Sequence, residues 1–488
     1  SLRINANGSI TVASTAVLNV KGELTSDDPA KLLIKADENG SGTVVYKAGS
    51  PKATVEMYLK GTSETDADGN IVNPQWQLRG CIVDDFALVN NANQWANIHV
   101  YRWSEANNRN GCWAENMIGS AIKLDPWWGY GFANYSASPV TLKYTGTLKN
   151  GDCQLTLNKT GSGNANVGNN MFTNSYAAPL KISMLDFENT KSSVIFYNTG
   201  SWLDWKQYEG DTTSAGVGTT AGQMLVCPKN TSAVAGLPTT IPSGQSFYVV
   251  AEEDKGSVTV YYSYIDDSNP SGPMFMPAEE KEEQFNVLGM TISGKKGGDR
   301  VVLIENENCD DSYNDGYDGM KYYGDAELPQ LFAVNEFGNT SINAAKTMLG
   351  QKIGVTTQSA GEVLRMTFET DRLEGFAQLQ VHDFVTGKFV NVLAGEEYEF
   401  TTTGNDNARF EVVGFTMQNA DKEGEEELRV YGNRLYVGKN EGPVFMCDMS
   451  GKIVWQADVR QGEWVELPEL LHGVYVIKTD GSTIKIVK

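Results

Sequence analysis

The chain is poor in histidine, in positive charge and in long apolar runs, and each shortage closes off a class of function. Three histidines occur in 488 residues, His99, His382 and His472. They fall in three different predicted segments, so structural roles fit them better than a shared catalytic site. No G-x-S-x-G elbow is present to raise a nucleophilic serine. Six cysteines are scattered without a C-x-x-C pair, which argues against a zinc site of ordinary spacing. Free buried thiols are the preferred reading, with one bridge, Cys81 to Cys112, as the alternative. Lys and Arg number 39 against 61 Asp and Glu, a net charge of −22. Nucleic acid and anionic membrane surfaces are therefore repelled on average. No apolar run approaches the ~18 residues that a membrane-spanning helix needs. Ser1 falls within a strand-like pattern, which a removed leader or a truncation would explain.

Helical periodicity of any length is missing too. In its place are short alternating runs such as "TVEMYLKG", "NIHVYRW", "VTLKYTGTL" and "RVVLIEN". They are rich in β-branched and aromatic residues and are punctuated by Gly, Asn and Thr. Period-two alternation of this kind predicts strands, so the fold class is all-β, in sandwiches or jelly-roll-like pairs of sheets. Four segments separate. Residues 1–50 have short apolar touches between Asn/Gly turns, as in the rungs of a β-solenoid, too few to bury a core alone. Residues 51–268 form an aromatic-rich β domain. Proline-rich and acidic stretches precede a second β-sandwich at 286–415 and a small third domain at 428–488. Within the second segment, "PWWGYGFANYSASPVTLKY" (126–144) echoes "PSGQSFYVVAEEDKGSVTVYY" (242–262), each read as a hairpin in one of two related sheets.

Two stretches have the composition of a site. Trp127, Trp128, Trp202 and Trp205 offer ring faces suited to the C–H faces of a sugar. The competing reading is that they fill a wide β core. In a strand, Trp127 and Trp128 would point to opposite faces, so at most one is core. The other stretch is "CDDSYNDGYDGMKYYG" (309–324). Asp310, Asp311, Asp315 and Asp318 are hard oxygen donors of the kind that calcium takes. The EF-hand spacing fails: counting from Asp311, position three is Tyr313 and position twelve is Tyr322. The alternative, which is favoured, is that these carboxylates hold turns and cap a short helix over "GYDGMKYYG". Many carboxylate pairs exist by chance, but none has the apolar setting that would raise a pKa for glycosidase chemistry. "GSGNANVG" and "GVGTTAG" lack phosphate-loop spacing. The chain is read as a non-enzyme.

The last segment runs "VFMCDMSGKIVWQADVRQGEWVELPELLHGVYVIKTDGSTIKIVK". It resembles the sorting domain of the type IX secretion system of Bacteroidetes surface proteins, through Asp448, Gly451, Gly473, Tyr475 and Lys478. "ATVEMYLKG", "NSYAAPLKISMLDF", "IPSGQSFYVVA" and "GDRVVLIENENCDDSYNDGYDGMKYYGDAELPQLFAV" resemble elements of the adhesin-type proteins that carry such tails. The resemblance implies an Ig-like tail read by export machinery, an extracellular or outer-surface location, and a structural loop at 309–324. The resulting expectation is an adhesin-like binding protein whose ligand is a glycan or an extracellular protein. The alternatives are a carbohydrate-binding module of a glycan-foraging system and a structural envelope or fimbria-like protein. No cofactor is expected, with calcium at the aspartate-rich stretch as the alternative.

Overall fold

The structure is a computed structural model. It describes all residues except 62–64, 70, 72–73, 75, 90–91, 108–111, 161–165, 200–221, 268–284, 325–326, 417–427, 432–433, 439–440, 449–450, 461, 469–473, 480–482 and 488. The chain is nearly all β. Among the described residues, α-helix is confined to Ala92–Trp95. Two compact units form. One comprises Ser1–Arg372 with His382–Val412, the other Leu373–Val381 with Val413–Lys488.

The larger unit opens with three turns of a parallel solenoid. Strands Leu2–Ile4, Val17–Ser26 and Thr43–Ala48 make one sheet, with Leu2 opposite Leu24 and Val20 opposite Tyr46. The strands that follow each of them in sequence, Ile10–Val12, Leu32–Ile34 and Lys52–Leu59, stack in a second sheet. The chain thus alternates between two faces once per turn, as the 1–50 spacing predicted. Gly42 sits at one corner, where a Cβ would lie 2.8 Å from both the Val12 and Ala13 carbonyl oxygens. Lys52–Leu59 ends the solenoid by pairing parallel to Leu32–Ile34 on one edge and antiparallel to Val140–Leu148 on the other. Its inward residues Ala53, Val55, Met57 and Leu59 join Leu24, Leu32 and Ile34 from the rungs and Phe132, Leu142 and Tyr144 from the next segment in one core. That shared core supplies the burial that three short rungs lack.

The aromatic-rich segment repeats one arrangement. Tyr130–Asn134 lies between Ile98–Trp103 and Trp76–Arg79, while Val140–Leu148 lies in the opposing sheet. In the same way Ser246–Val250 pairs with Asn169–Thr173 and Ser193–Tyr197, while Ser257–Val260 pairs with Cys153–Thr156 and Asp186–Glu188. The echo at 126–144 and 242–262 is therefore a repeated sandwich corner. The hairpin expectation is corrected: in each copy the two strands belong to different sheets. Alternation identifies strands but leaves partners open, because pairing is decided by distant segments.

The larger unit continues with a long mixed sheet. Its middle runs Lys352–Thr356, Gln330–Val334, Thr340–Ala345, Gly298–Glu305, Val287–Ser293 and Val363–Arg372. Gly298–Glu305 and Thr340–Ala345 are parallel, their crossover carrying the aspartate-rich stretch. Val287, Val302, Ile304, Ile342 and Ala344 share a core with Leu180, Phe196, Phe247 and Val258. All six cysteines are unbridged. Cys81 and Cys112 lie in different clusters, and their thiols face backbone carbonyls, of Val83 and Leu124 for Cys81 and of Glu105 for Cys112.

Within the smaller unit, the strands from Leu428 onward form a two-sheet sandwich. Leu428–Tyr431, Arg434–Val437 and Glu463–Glu466 form one sheet. Ile453–Val459, Gly442–Asp448, Val474–Lys478 and Thr483–Val487 form the other. Alternate residues, among them Leu435, Val437, Val444, Met446 and Ile477, fill the space between.

Candidate functional site

The concentration of aromatic rings on the sheet around Ile98–Trp103 follows from register. Tyr101 pairs with Gly131, and Trp76 pairs with Ala133, so two large rings on one face stand over two small residues. A Cβ at Gly131 would meet the Trp113 ring at 2.8 Å and the Trp76 ring at 3.2 Å. Trp103 and Trp113 are direct cross-strand partners. The link between their strands is closed by the Ser104 amide donating to the Cys112 carbonyl and the Cys112 amide donating to the Asn107 carbonyl. Trp76 stacks on Trp113 with centroids 5.8 Å apart and meets Tyr101 edge-on at 5.4 Å. Trp103 is buried and meets Trp113 and Tyr248 edge-on, and its Nε1 donates to the Asn169 carbonyl at 2.7 Å. His99 continues the same face and packs on Tyr135; burial lowers its pKa, which favours the neutral ring.

Trp127 and Trp128 part company at a turn. Trp127 has a left-handed backbone, φ +68°, and its amide donates to Ser175 Oγ at 2.7 Å. Its ring meets Tyr176 edge-on at 4.9 Å and packs against the core. Trp128 points outward and is 42% exposed. The Arg102 guanidinium lies 3.6 Å from its ring centroid, and Glu115 is 3.8 Å from that guanidinium. An open indole flanked by a fixed cation and a carboxylate suits a ligand with an apolar face and hydroxyl or amide edges. Trp202 and Trp205 lie outside the described residues.

The aspartate-rich stretch commits most of its carboxylates to donors within the protein. Asp318 is buried. Its Oδ1 accepts the Ala344 amide at 2.6 Å and its Oδ2 the Asn314 amide at 2.7 Å. Burial nonetheless pushes its carboxyl up to about 6. Asp310 Oδ1 accepts the amide and hydroxyl of Ser312, which hold its pKa below the usual range. Asp315 accepts the amide and hydroxyl of Ser192. Asp311 is exposed. Asn314 ties the loop together, its Nδ2 donating to the carbonyls of Asp310, Ser312 and Ala344. Among the described residues no group of three or more His, Cys, Asp or Glu is arranged to hold a metal. The short helix expected over "GYDGMKYYG" is replaced by a turn, with Gly316 at φ +80°, and the two-residue strand Gly319–Met320. The reason is tertiary: the Asn230 amide donates to the Gly316 carbonyl and Thr231 Oγ1 to the Tyr317 carbonyl, claiming acceptors that a helix would have used itself.

The chain is 25% identical over 509 residues to the minor fimbrium subunit Mfa5 of Porphyromonas gingivalis, covering 97% of this chain and 40% of that protein. The chain therefore spans well under half the length of this relative. No protein-family model matches, and no solved structure matches.

Sequence reasoning named Trp128 but missed Trp76, Tyr101, Trp103 and Trp113 as a group, and missed Arg102. The available signal was the pairing of bulky residues on "NIHVYRW" and "CWAENMI" across a polar Asn-rich turn, which puts rings opposite each other.

Proposed function

We propose that the chain is a cell-surface protein of a fimbria-like assembly with an adhesin-like binding role and no catalytic step. The similarity to a fimbrium subunit carries this reading, because it runs through 97% of the chain rather than through one segment. A surface location and extracellular protein partners belong to the same reading. In this reading the residue 428–488 sandwich is the part that export machinery reads, in keeping with its resemblance to sorting tails. Ligand contact is assigned to the exposed face around Trp128, Arg102 and Glu115, and a glycan is the favoured ligand class. The deciding experiment is a glycan and matrix-protein array on the intact chain, repeated with Trp128→Ala. Retention on one glycan class, lost in the variant, supports the assignment. Silence on both arrays, together with co-assembly of the chain with fimbrial fractions, favours a purely structural subunit.

A further inference from the structure

The geometry points to a covalent cross-link: Lys321 Nζ and Asp299 Cγ are joined as an intramolecular amide in the mature protein. The two side chains are in direct contact, Nζ to Oδ2, and each is 1% exposed. Both are held by their backbones. Asp299 is the second residue of Gly298–Glu305 and pairs with Ile292. Lys321 directly follows Gly319–Met320, and its amide donates to the Asn339 carbonyl at 2.8 Å. A nucleophile and an acyl carbon fixed next to each other have a very high effective concentration, on the order of 10⁵ M or more.

The alternative is a retained ion pair, and the surroundings make that the costlier state. Burying an ammonium and a carboxylate costs several kcal/mol per ion before their attraction is counted. Burial also favours the protonated acid, pushing the Asp299 carboxyl above its ordinary range despite the lysine. A proton can therefore pass from the ammonium to the carboxylate, leaving a neutral amine beside a neutral acid. The amine lone pair then attacks Cγ and the N–C bond forms. The C–OH bond breaks, and the hydroxyl departs with a second nitrogen proton as water. The balance is one carboxylate plus one ammonium giving one amide plus one water, with no oxidant or co-reactant. The Leu331 amide donates to Asp299 Oδ2 at 2.6 Å, and the Arg300 amide also donates to this carboxyl. These donors stabilise negative charge on oxygen in the tetrahedral intermediate. A mostly apolar pocket of about 20 Å³, where Asp299, Arg300 and Ser341 meet Leu237, Val302 and Ile342, has room for one water.

The bond closes a loop from 299 to 321 that contains most of the aspartate-rich stretch, tying the crossover to the strand from which it departs. The proposal stands independently of the ligand-binding reading.

The test is the intact mass of the full chain under denaturing conditions, followed by peptide mapping. The expected mass is one water below the sequence mass, with a branched peptide linking the segments that hold residues 299 and 321. Lys321→Arg and Asp299→Ala should each show their full sequence mass. Wild-type protein at full sequence mass, with Lys321 open to an amine-reactive label after denaturation, overturns the proposal. So does a lost water without the branched peptide. The wild-type measurement decides the matter even where a variant fails to fold.

Discussion

The tryptophan-rich sheet and the aspartate-rich crossover have equally conspicuous compositions, yet they treat their functional groups in opposite ways. In the crossover, three of the four aspartates are occupied by donors from the loop itself or from neighbouring segments: Asp318 by Ala344 and Asn314, Asp310 by Ser312, Asp315 by Ser192. On the sheet, Trp103 is equally committed, ring and N–H both, but Trp128 keeps much of its ring in solvent. A side chain is available to a ligand only with the bonding capacity its own fold leaves unused. By that measure most of the crossover carboxylates are committed within the fold, while Trp128 remains open to solvent.

Removal of the committed ring should give the largest effect. Trp103→Ala deletes a buried indole, its hydrogen bond and two edge-on contacts, and should cost about 3–5 kcal/mol in denaturant unfolding. A loss well under that would place Trp103 with the available rings and blur the contrast. Next comes Asp318→Ala, which leaves the Ala344 and Asn314 amides without their acceptor, at a cost of about 2–3 kcal/mol.

The same carboxylate should carry a pH signature. Its folded-state pKa of about 6 lies above the ordinary 3.8, so the native chain binds this proton more tightly than the unfolded chain does. The stabilisation linked to that proton is complete below pH 3.8 and is lost as pH rises through about 6. Unfolding titrations of wild type and Asp318→Asn should therefore diverge in slope across that window and run parallel above it. A parallel course throughout would show the carboxyl to be solvated and ordinary.

Smaller effects should come from the uncommitted groups. Trp128→Ala should leave stability within about 0.5 kcal/mol, as for other surface substitutions, while abolishing any glycan retention. Last, added calcium and added chelator should both leave the melting temperature where it is, since ligand binding to the native state alone would raise it. A calcium-dependent rise would return Asp310, Asp311, Asp315 and Asp318 to the role of ligands.

Much of the secondary structure was legible in the amino acids. Alternation marks "TVEMYLKG" and "RVVLIEN" as strands, and the short Asn/Gly-spaced rungs of residues 1–50 mark a solenoid, because both patterns arise from interactions between near neighbours. The candidate site was only partly legible. Trp128 stood out by composition, but Arg102 and Glu115 reach it from other strands, 26 and 13 residues away in sequence. Asp299 and Lys321 lie 22 residues apart, and neither is unusual until the fold shuts both away from water.

The sequence by itself determined that this protein is built from strands and that its first residues wind as parallel rungs. Tertiary structure decided which strands share a sheet, why 126–144 is a corner and not a hairpin, and which of two adjacent tryptophans faces solvent. The physical reason is one of range. Backbone preference and side-chain alternation act over a few residues. Burial, pairing and the satisfaction of each polar group are set by whatever distant segment the folded chain brings alongside.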